Sequence, residues 1–243
     1  MTASAKTTQV PLASLARALD RFFGLLGRHW LATFNTGLAM LAIVPWLAPV
    51  FMHWGWEAPA RAIYWFYSYI CHQFPQRSWF LFGSSWTVSL QDVRPFIPLG
   101  SSHLALHRFI GNPEMGWKVA WSDRMVSFYG TWFAFGLLHA LAGRPRRVLG
   151  WRVAALLMLP LALDGTSHMV SDLAGIGRGF RDSNLWLGAV TGWRFAPSFY
   201  AGDAWGSFNS LARLVTGVLA SLGLMMWVLP TIERLLWRGE QQD

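Results

Sequence analysis

Residues 31–51 are LATFNTGLAMLAIVPWLAPVF, a stretch of the chain without a charged side chain. A helix of this length extends about 31 Å, at roughly 1.5 Å per residue, which matches the hydrocarbon core of a bilayer. The stretch therefore predicts a membrane-spanning helix, and this prediction decides the fold class.

Three more apolar stretches have the character of spans. They cover residues 126–141, 153–170 and 211–229. Residues 58–70 are too short to cross alone and are rich in Tyr and Trp, which favours an interfacial or re-entrant helix. We therefore predict an all-α, polytopic membrane bundle of about four transmembrane helices.

The composition supports a membrane protein. Of the 243 residues, 53% are hydrophobic and 13% are charged, whereas soluble domains carry about a quarter charged residues. The net charge of +8 comes from arginines beside the apolar stretches, which favours contact with anionic lipid headgroups. Since no aromatic-basic sheet or finger motif is present, we expect no nucleic-acid partner. One cysteine excludes an internal disulfide and a multi-cysteine metal cluster.

The basic residues predict the orientation. Residues 10–28 repeat a Leu or Phe every three or four positions beside arginines, which is typical of an amphipathic helix on an anionic leaflet or of an ordinary packed helix. The short loop after the second predicted span carries Arg144, Arg146, Arg147 and Arg152. Short basic loops lie on the cytoplasmic side. We expect a multi-pass protein of the cell membrane with both termini in the cytoplasm.

One transmembrane domain is expected at residues 31–230. Residues 1–30 precede it as a tail and amphipathic helix, and residues 231–243 follow it as a cytoplasmic tail. Two connections, at about 53–120 and 171–207, are then extracytoplasmic. The second is rich in Gly, Asp, Asn and Trp, which predicts a folded loop.

Polar side chains gather at the outer ends of the predicted spans. Arg124 begins the second span, Asp164 and His168 end the third, and Asn209 and Arg213 begin the fourth. A charge at mid-depth in a bilayer costs about 2.5–3.5 kcal/mol, so Asp164, Arg124 and Arg213 should face the bundle interior and neutralise one another. They predict either a polar cavity that opens outward or an ion-pair network that only holds the helices together.

Such a cavity would suit an anion. The segment CHQFPQRS, residues 71–78, lies on the same predicted side. Arg77, Arg124 and Arg213 would offer guanidinium forks, which match phosphate or carboxylate better than lysine does.

Other chemistries remain open. Asp164 with His72 or His168 would form an acid–base pair. Cys71 is either a nucleophile with a lowered pKa or a small packed residue. A histidine metal site would draw on His72, His168, His103 and His107. A solvated loop helix is the alternative for the last two.

The segment also resembles a known signature. Its pattern consists of Cys71, His72, Gln73, Pro75, Arg77 and Ser78. This is similar to the C-H-Q-x-P-x-R-S signature of an uncharacterised prokaryotic multi-pass membrane family, the domain of unknown function two-zero-eight-five. The resemblance implies the membrane class and implies neither a reaction nor a cofactor.

Two further blocks resemble the same family. PLALDGTSH, residues 160–168, is similar to its P-x-x-x-D-G-x-x-Q block, with His168 where Gln is usual. FNSLARLVTG, residues 208–217, is similar to its N-x-x-x-R-x-x-T-G block and adds Thr216 to the candidate residues.

One block departs from the family. Many members carry C-x-R-C-x-G-x-Y before the central span, whereas residues 122–129 here are SDRMVSFY. Arg124 and Tyr129 match, and both cysteines are absent, which argues against a structural zinc site. Residues 84–116 look like an insertion relative to shorter members.

The candidate ligand-binding residues share the predicted outer side. They are Cys71, His72, Gln73, Arg77, Ser78, Arg124, Tyr129, Asp164, His168, Asn209, Arg213 and Thr216. Our first hypothesis is a site for an anionic amphiphile such as a phospholipid or a polyprenyl phosphate. The alternatives are a non-catalytic subunit partnered by other membrane proteins, and a metal-binding or transport protein. The sequence assigns no catalytic residue, no metal ligand and no cofactor.

Overall fold

The computed structural model describes residues 10–97 and 103–240, without the side chains of residues 10–13 and 238–240. This part of the chain is mostly helical. Its α-helices are α1 (Val10–Arg28), α2 (Trp30–His53), α3 (Glu57–Ser68), α4 (Leu90–Val93), α5 (His103–Arg108), α6 (Asp123–Leu141), α7 (Trp151–Asp172), α8 (Phe180–Ser183), α9 (Leu185–Thr191), α10 (Pro197–Tyr200) and α11 (Phe208–Glu240). The strands are β1 (Ser78–Leu81), β2 (Gly111–Asn112) and β3 (Gly116–Ser122), and 3-10 turns form at Pro75–Arg77 and Arg94–Phe96.

Three of the described helices are long and apolar enough to cross a membrane. They are Trp30–His53, Trp151–Asp172 and the Phe208–Trp237 part of α11. These helices contain the first, third and fourth predicted spans and are compatible with an integral membrane protein. The second predicted span lies in α6, which is not among the three. Asp123, Arg124 and His139, together with its Ser, Thr, Tyr, Trp and Gly residues, lower its mean hydropathy.

The four long helices α2, α6, α7 and α11 pack side by side. Asn35, early in α2, donates from Nδ2 to the carbonyl of Gly136, late in α6, so these two helices are antiparallel. Ser221 of α11 donates to the carbonyl of Phe128 in α6 at 2.6 Å. A Cβ added to Gly223 of α11 would lie 2.8 Å from the Cβ of Leu157 in α7. Small residues therefore allow close helix contacts, as is common between membrane helices.

The bundle has two distinct ends. The motif end comprises the first turns of α6 and α11, the last turn of α7 and the segment at residues 71–78. The basic end comprises the first turns of α2 and α7, the last turn of α6 and the loop at residues 142–150. Since α6 has 19 residues, the two ends lie about 28 Å apart.

A small antiparallel sheet, with strand order β1-β3-β2, lies at the motif end. Our all-α prediction did not include it. The strands are short, and β3 is buried almost throughout, so it lacks the alternation that would have indicated a strand. In this sheet Ser78 pairs with Ser122, the residue before α6. The sheet therefore fixes the CHQFPQRS segment against the first turn of α6.

The predicted insertion packs onto that segment. Residues 84–97 and 103–116 contain α4, α5 and β2. Phe74 and Phe80 form a buried cluster with Val93 and Leu106 from this region. The insertion therefore forms the outer wall behind residues 71–78.

The remaining predicted segments are helical. α3 has 12 residues and extends about 18 Å, which is too short to cross a bilayer. α1 is also a helix, and the interfacial location of both stays a prediction. α11 continues to Glu240, through most of the residues assigned to a cytoplasmic tail.

Candidate functional site

A continuous chain of buried and half-buried ion pairs joins five parts of the motif end. Arg77 donates to Asp172 at the end of α7 (2.7 Å) and to Asp203 in the loop before α11 (2.9 Å). Arg213 of α11 donates to Asp203 at 2.6 Å and to Asp123, the first residue of α6, at 2.7 Å. The chain contains three carboxylates and two guanidinium groups. It ties the motif (residues 71–78) and the outer loop (residues 173–207, between α7 and α11) to the helix ends.

A second group of charges forms around Asp164 of α7. Arg124 donates to its Oδ2 at 2.7 Å, and Arg181 of α8 donates to its Oδ1 at 2.7 Å. Arg181 also lies 3.1 Å from Nε2 of His168. Since a guanidinium can only donate, this Nε2 accepts, and the neutral ring carries its proton on Nδ1. This group contains two guanidinium groups and one carboxylate.

These contacts correct one expectation. We predicted that Asp164, Arg124 and Arg213 would neutralise one another, and the pair of Asp164 with Arg124 is present. Arg213 instead pairs with Asp123 and Asp203. Across both groups four carboxylates balance four guanidinium groups, but the excess positive charge lies in the group around Asp164.

Arg124 is the guanidinium in these groups that is most available to a ligand. Its Nη2 contacts Asp164, whereas its Nε is buried and has no hydrogen-bond partner among the described residues. Its side chain is 21% exposed, compared with 2% for Arg213 and 8% for Arg181. Arg213 also donates from Nε, Nη1 and Nη2 to Asp123 and Asp203. Nε of Arg181 also has no partner among the described residues, but Arg181 is less exposed, so the donor capacity that a ligand can reach lies at Arg124.

Arg124 lines a cavity of about 580 Å³ at the motif end. The polar lining includes residues of both charge groups and of the motif, namely Cys71, His72, Gln73, Arg77, Ser122, His168, Asp172 and Arg213. The apolar lining comes from Ile70, Phe74, Met125, Met169 and Leu173. The cavity therefore combines a charged floor with an apolar wall.

Five candidate residues are absent from the cavity lining. Asp164 is held by Arg124 and Arg181, and the side chains of the other four make structural contacts. Asn209 donates to the carbonyls of Arg181 (2.7 Å) and Gly202 (2.9 Å), which clamps the outer loop onto α11. Ser78 donates to the carbonyl of Phe74.

The other two, Thr216 and Tyr129, lie in α11 and α6. The Thr216 hydroxyl lies 3.4 Å from the carbonyl of Arg213 within its own helix. The Tyr129 ring stacks on Trp121 with 5.3 Å between centroids. Neither of these contacts involves a charged side chain of the two groups of ion pairs.

The start of the motif is held by hydrogen bonds. Sγ of Cys71 is buried and accepts the backbone N–H of Gln73 at 3.4 Å. The carbonyl of His72 accepts from Nδ1 of His107 at 2.7 Å, so α5 is bound to the motif rather than only solvated. The Gln73 side chain donates to the carbonyl of Tyr64 at 2.9 Å.

Lys118 of β3 supports the motif from behind and was missed by the sequence analysis. Its side chain is fully buried and donates to the carbonyls of Gln73 (2.6 Å) and His107 (2.8 Å). Burial lowers the pKa of Lys118 to about 7. A neutral amine has two N–H donors, and two carbonyls accept them.

Four charged residues of the ion pairs were also missed. Asp123 and Asp172 lie at helix ends, near candidate residues of the same helices, so their positions in the sequence could have identified them. Arg181 and Asp203 lie in the outer loop, where the spacing of residues along the sequence does not predict which way a side chain points. Burial opposes ionisation of Asp203, but the charges of Arg77 and Arg213 outweigh it and hold its pKa below the ordinary value.

The described residues contain no group of three or more His, Cys, Asp or Glu side chains that could hold a metal ion. Asp164 and His168 lie 3.7 Å apart, and Arg181 contacts both. A positive guanidinium therefore lies where a cation would bind.

No protein-family model, curated protein or solved structure matches the chain. The resemblance of the CHQFPQRS segment to a membrane family therefore stays a prediction.

Proposed function

We propose that this protein is an integral membrane protein that binds the anionic headgroup of an amphiphile, a phospholipid or a polyprenyl phosphate, in the cavity at the motif end. The observation that carries the proposal is the guanidinium of Arg124. It lines the cavity with unused donor capacity, in a charge group that has one more guanidinium than carboxylate. A bound phosphate would supply the missing negative charge and accept charge-assisted hydrogen bonds.

The apolar wall favours an amphiphile over a free anion. Ile70, Met125, Met169 and Leu173 line the cavity beside Arg124. An acyl or prenyl chain against these side chains would gain about 0.8 kcal/mol for each CH₂ that it buries. A soluble phosphate would make the polar contacts and leave this wall empty.

In the proposed topology four helices cross the membrane. α6 is packed lengthwise against α2 and α11, so a bilayer crossed by these helices would enclose α6 as well. The short loop with Arg144, Arg146 and Arg147 favours the cytoplasm for the basic end. The motif end is then extracytoplasmic, and both termini are cytoplasmic. The resemblance to a prokaryotic multi-pass family is consistent with this topology.

The test is a comparison of lipids that co-purify with three forms of the full-length protein. Wild type, Arg124→Gln and the control Arg178→Gln are isolated in mild detergent, and bound lipids are identified by mass spectrometry. Arg178 is exposed in the outer loop, so the control removes an equal charge outside the cavity. We expect Arg124→Gln alone to lose a phosphorylated lipid. Equal lipid content in all three forms would contradict the proposal.

A second candidate function is that of a non-catalytic subunit in a membrane complex. Exposed aromatic side chains outside the three candidate spans favour it, notably Trp65 (64% exposed), Phe66 (56%) and Tyr69 (70%). Aromatic side chains are enriched at protein interfaces as well as at the lipid–water boundary. Isolation from native membranes should then give a discrete complex of higher mass, and recovery as a monomer alone would count against this function.

A further inference from the structure

A cluster of arginines lies at the basic end, remote from the cavity of the proposed function. It consists of Arg28, Arg144, Arg146, Arg147 and Arg234, which come from the α1–α2 junction, the loop at residues 142–150 and α11. The cluster gathers three separate parts of the chain at one end of the bundle.

Two adjoining cavities lie among these arginines. One has a volume of about 730 Å³ and is lined by Arg28, Arg144 and Arg146 with Trp30 and Trp237. The other has a volume of about 420 Å³ and is lined by Arg146, Arg147, Arg234 and Trp237. Arg146 and Trp237 belong to both, so the two volumes form one basic surface.

Two contacts hold the loop at residues 142–150 against α11, and this arrangement keeps the arginines close together. Arg234 donates from Nε to the carbonyl of Arg146 at 2.6 Å. The guanidinium carbon of Arg146 lies 4.9 Å from the centroid of Trp237, within cation–π range. These two contacts fix the loop on α11 through a backbone carbonyl and an aromatic face, and they use no carboxylate.

The cluster is weakly neutralised. Glu233 is the one acidic residue among those that line either cavity, within the described part of the chain. Its nearest ion-pair contact is with Arg144 at 3.8 Å, longer than a hydrogen bond. Five guanidinium groups therefore face one carboxylate, in contrast to the balanced charges at the motif end.

We propose that this surface binds the headgroup of an anionic phospholipid at the cytoplasmic leaflet. Basic pockets between helices on that side are suited to phosphate headgroups. Trp30 and Trp237 line the cavity, and amphipathic Trp rings favour the headgroup level of a bilayer. Gly24 and Gly27 of α1 also line the cavity, and a Cβ at either would meet nothing within 4 Å, so the cavity is open on the side of α1.

The experiment uses the full-length protein in phosphatidylcholine nanodiscs that contain a photoactivatable phosphatidylglycerol. Crosslinked peptides are mapped by mass spectrometry. We expect labelling of peptides from residues 142–150 and 231–237. In Arg146→Gln/Arg147→Gln the lipid concentration for half-maximal labelling should rise by about 25-fold, since each arginine near an anionic leaflet contributes roughly fivefold.

The control Arg178→Gln/Arg194→Gln removes the same charge from exposed positions in the outer loop. At the peptides from residues 142–150 and 231–237 it should label like wild type, and so should Arg124→Gln, which separates this site from the proposed function. Gly24→Leu/Gly27→Leu changes no charge and should lower the labelling by filling the open space. Unchanged labelling in the Arg146→Gln/Arg147→Gln variant would overturn the proposal. Equal labelling by photoactivatable phosphatidylcholine, or full competition by millimolar pyrophosphate, would overturn it too.

Discussion

The guanidinium of Arg124 in α6 lies 2.7 Å from the carboxylate of Asp164 in α7. Asp164 is shared with Arg181 at the same distance, so one carboxylate faces two guanidinium groups. Arg124 keeps donor capacity beside the cavity, whereas Arg213 is occupied by carboxylates. The two arginines, which look equivalent in the sequence, therefore have different expected roles.

Arg213→Ala should be strongly destabilising, whereas Arg124→Gln should not. Arg213 is 2% exposed, and its removal leaves Asp123 buried without its ion-pair partner. Breaking a buried pair costs about 3–5 kcal/mol. The measurement is the thermal unfolding midpoint of each variant in detergent. Similar midpoints for the two variants would contradict the structural role of Arg213.

Lys118 predicts a pH dependence of stability. Its pKa is lowered to about 7 in the folded protein, and an unfolded lysine has a pKa near 10.4. Between these values the unfolded chain binds more protons, so stability should rise as the pH rises from about 7 toward 10. Lys118→Met should remove this rise. It should also lower the unfolding midpoint at pH 9, because the substitution removes two hydrogen bonds. Parallel pH profiles of the two proteins would contradict the prediction.

Asp203 predicts a loss of stability in acid. Its pKa is held below the ordinary value by Arg77 and Arg213, so its contribution is complete above the unfolded pKa of about 3.9 and is lost as the pH falls below it. Asp203→Asn should unfold at a lower temperature at pH 7 and should show a shallower decline between about pH 5 and pH 3. An equally steep decline in the variant would assign the acid sensitivity to other carboxylates.

Two glycine substitutions test the packing of the long helices. Gly223→Ala places a Cβ 2.8 Å from the Leu157 Cβ and 2.9 Å from the Ala154 carbonyl. Such overpacking costs about 1–3 kcal/mol, which exceeds the gain of about 0.5–1 kcal/mol from replacing glycine in a helix. Gly130→Ala is the matched control, since its Cβ meets nothing within 4 Å. We expect a lower unfolding midpoint for Gly223→Ala and an equal or higher one for Gly130→Ala.

The long apolar helices could be predicted because few structures other than a helix suit an apolar stretch of sequence of that length. Residues 31–51, 153–170 and 211–229 lie within helices that are apolar and long enough to span. The short strands could not be predicted, because β3 pairs with β1 across about 35 residues of intervening chain and is buried on both faces. Lys118 is buried within that strand, where a sequence pattern would predict an apolar residue.

The candidate site was predictable in its helical members and not in its loop members. Arg124 lies in the first turn of α6, and Asp164 and His168 lie in the second half of α7, where polar residues in apolar surroundings are conspicuous. Asp203 and the short helix α8 with Arg181 lie in the outer loop, and only the folded chain shows that these two residues complete the ion pairs. The prediction that Asp164 neutralises Arg213 was therefore wrong, although the burial of Arg213 among opposite charges was expected.

The most direct test of the central claim is the affinity of wild type and Arg124→Gln for phosphatidylglycerol, titrated by native mass spectrometry with phosphatidylcholine as the reference lipid. Arg146→Gln/Arg147→Gln is the background for both forms, so that binding at the basic end is suppressed. We predict selective binding of phosphatidylglycerol that Arg124→Gln weakens by about tenfold, the effect of losing roughly 1.4 kcal/mol from one charge-assisted hydrogen bond. Equal affinities of the two forms, or equal affinities for the two lipids, would contradict the claim.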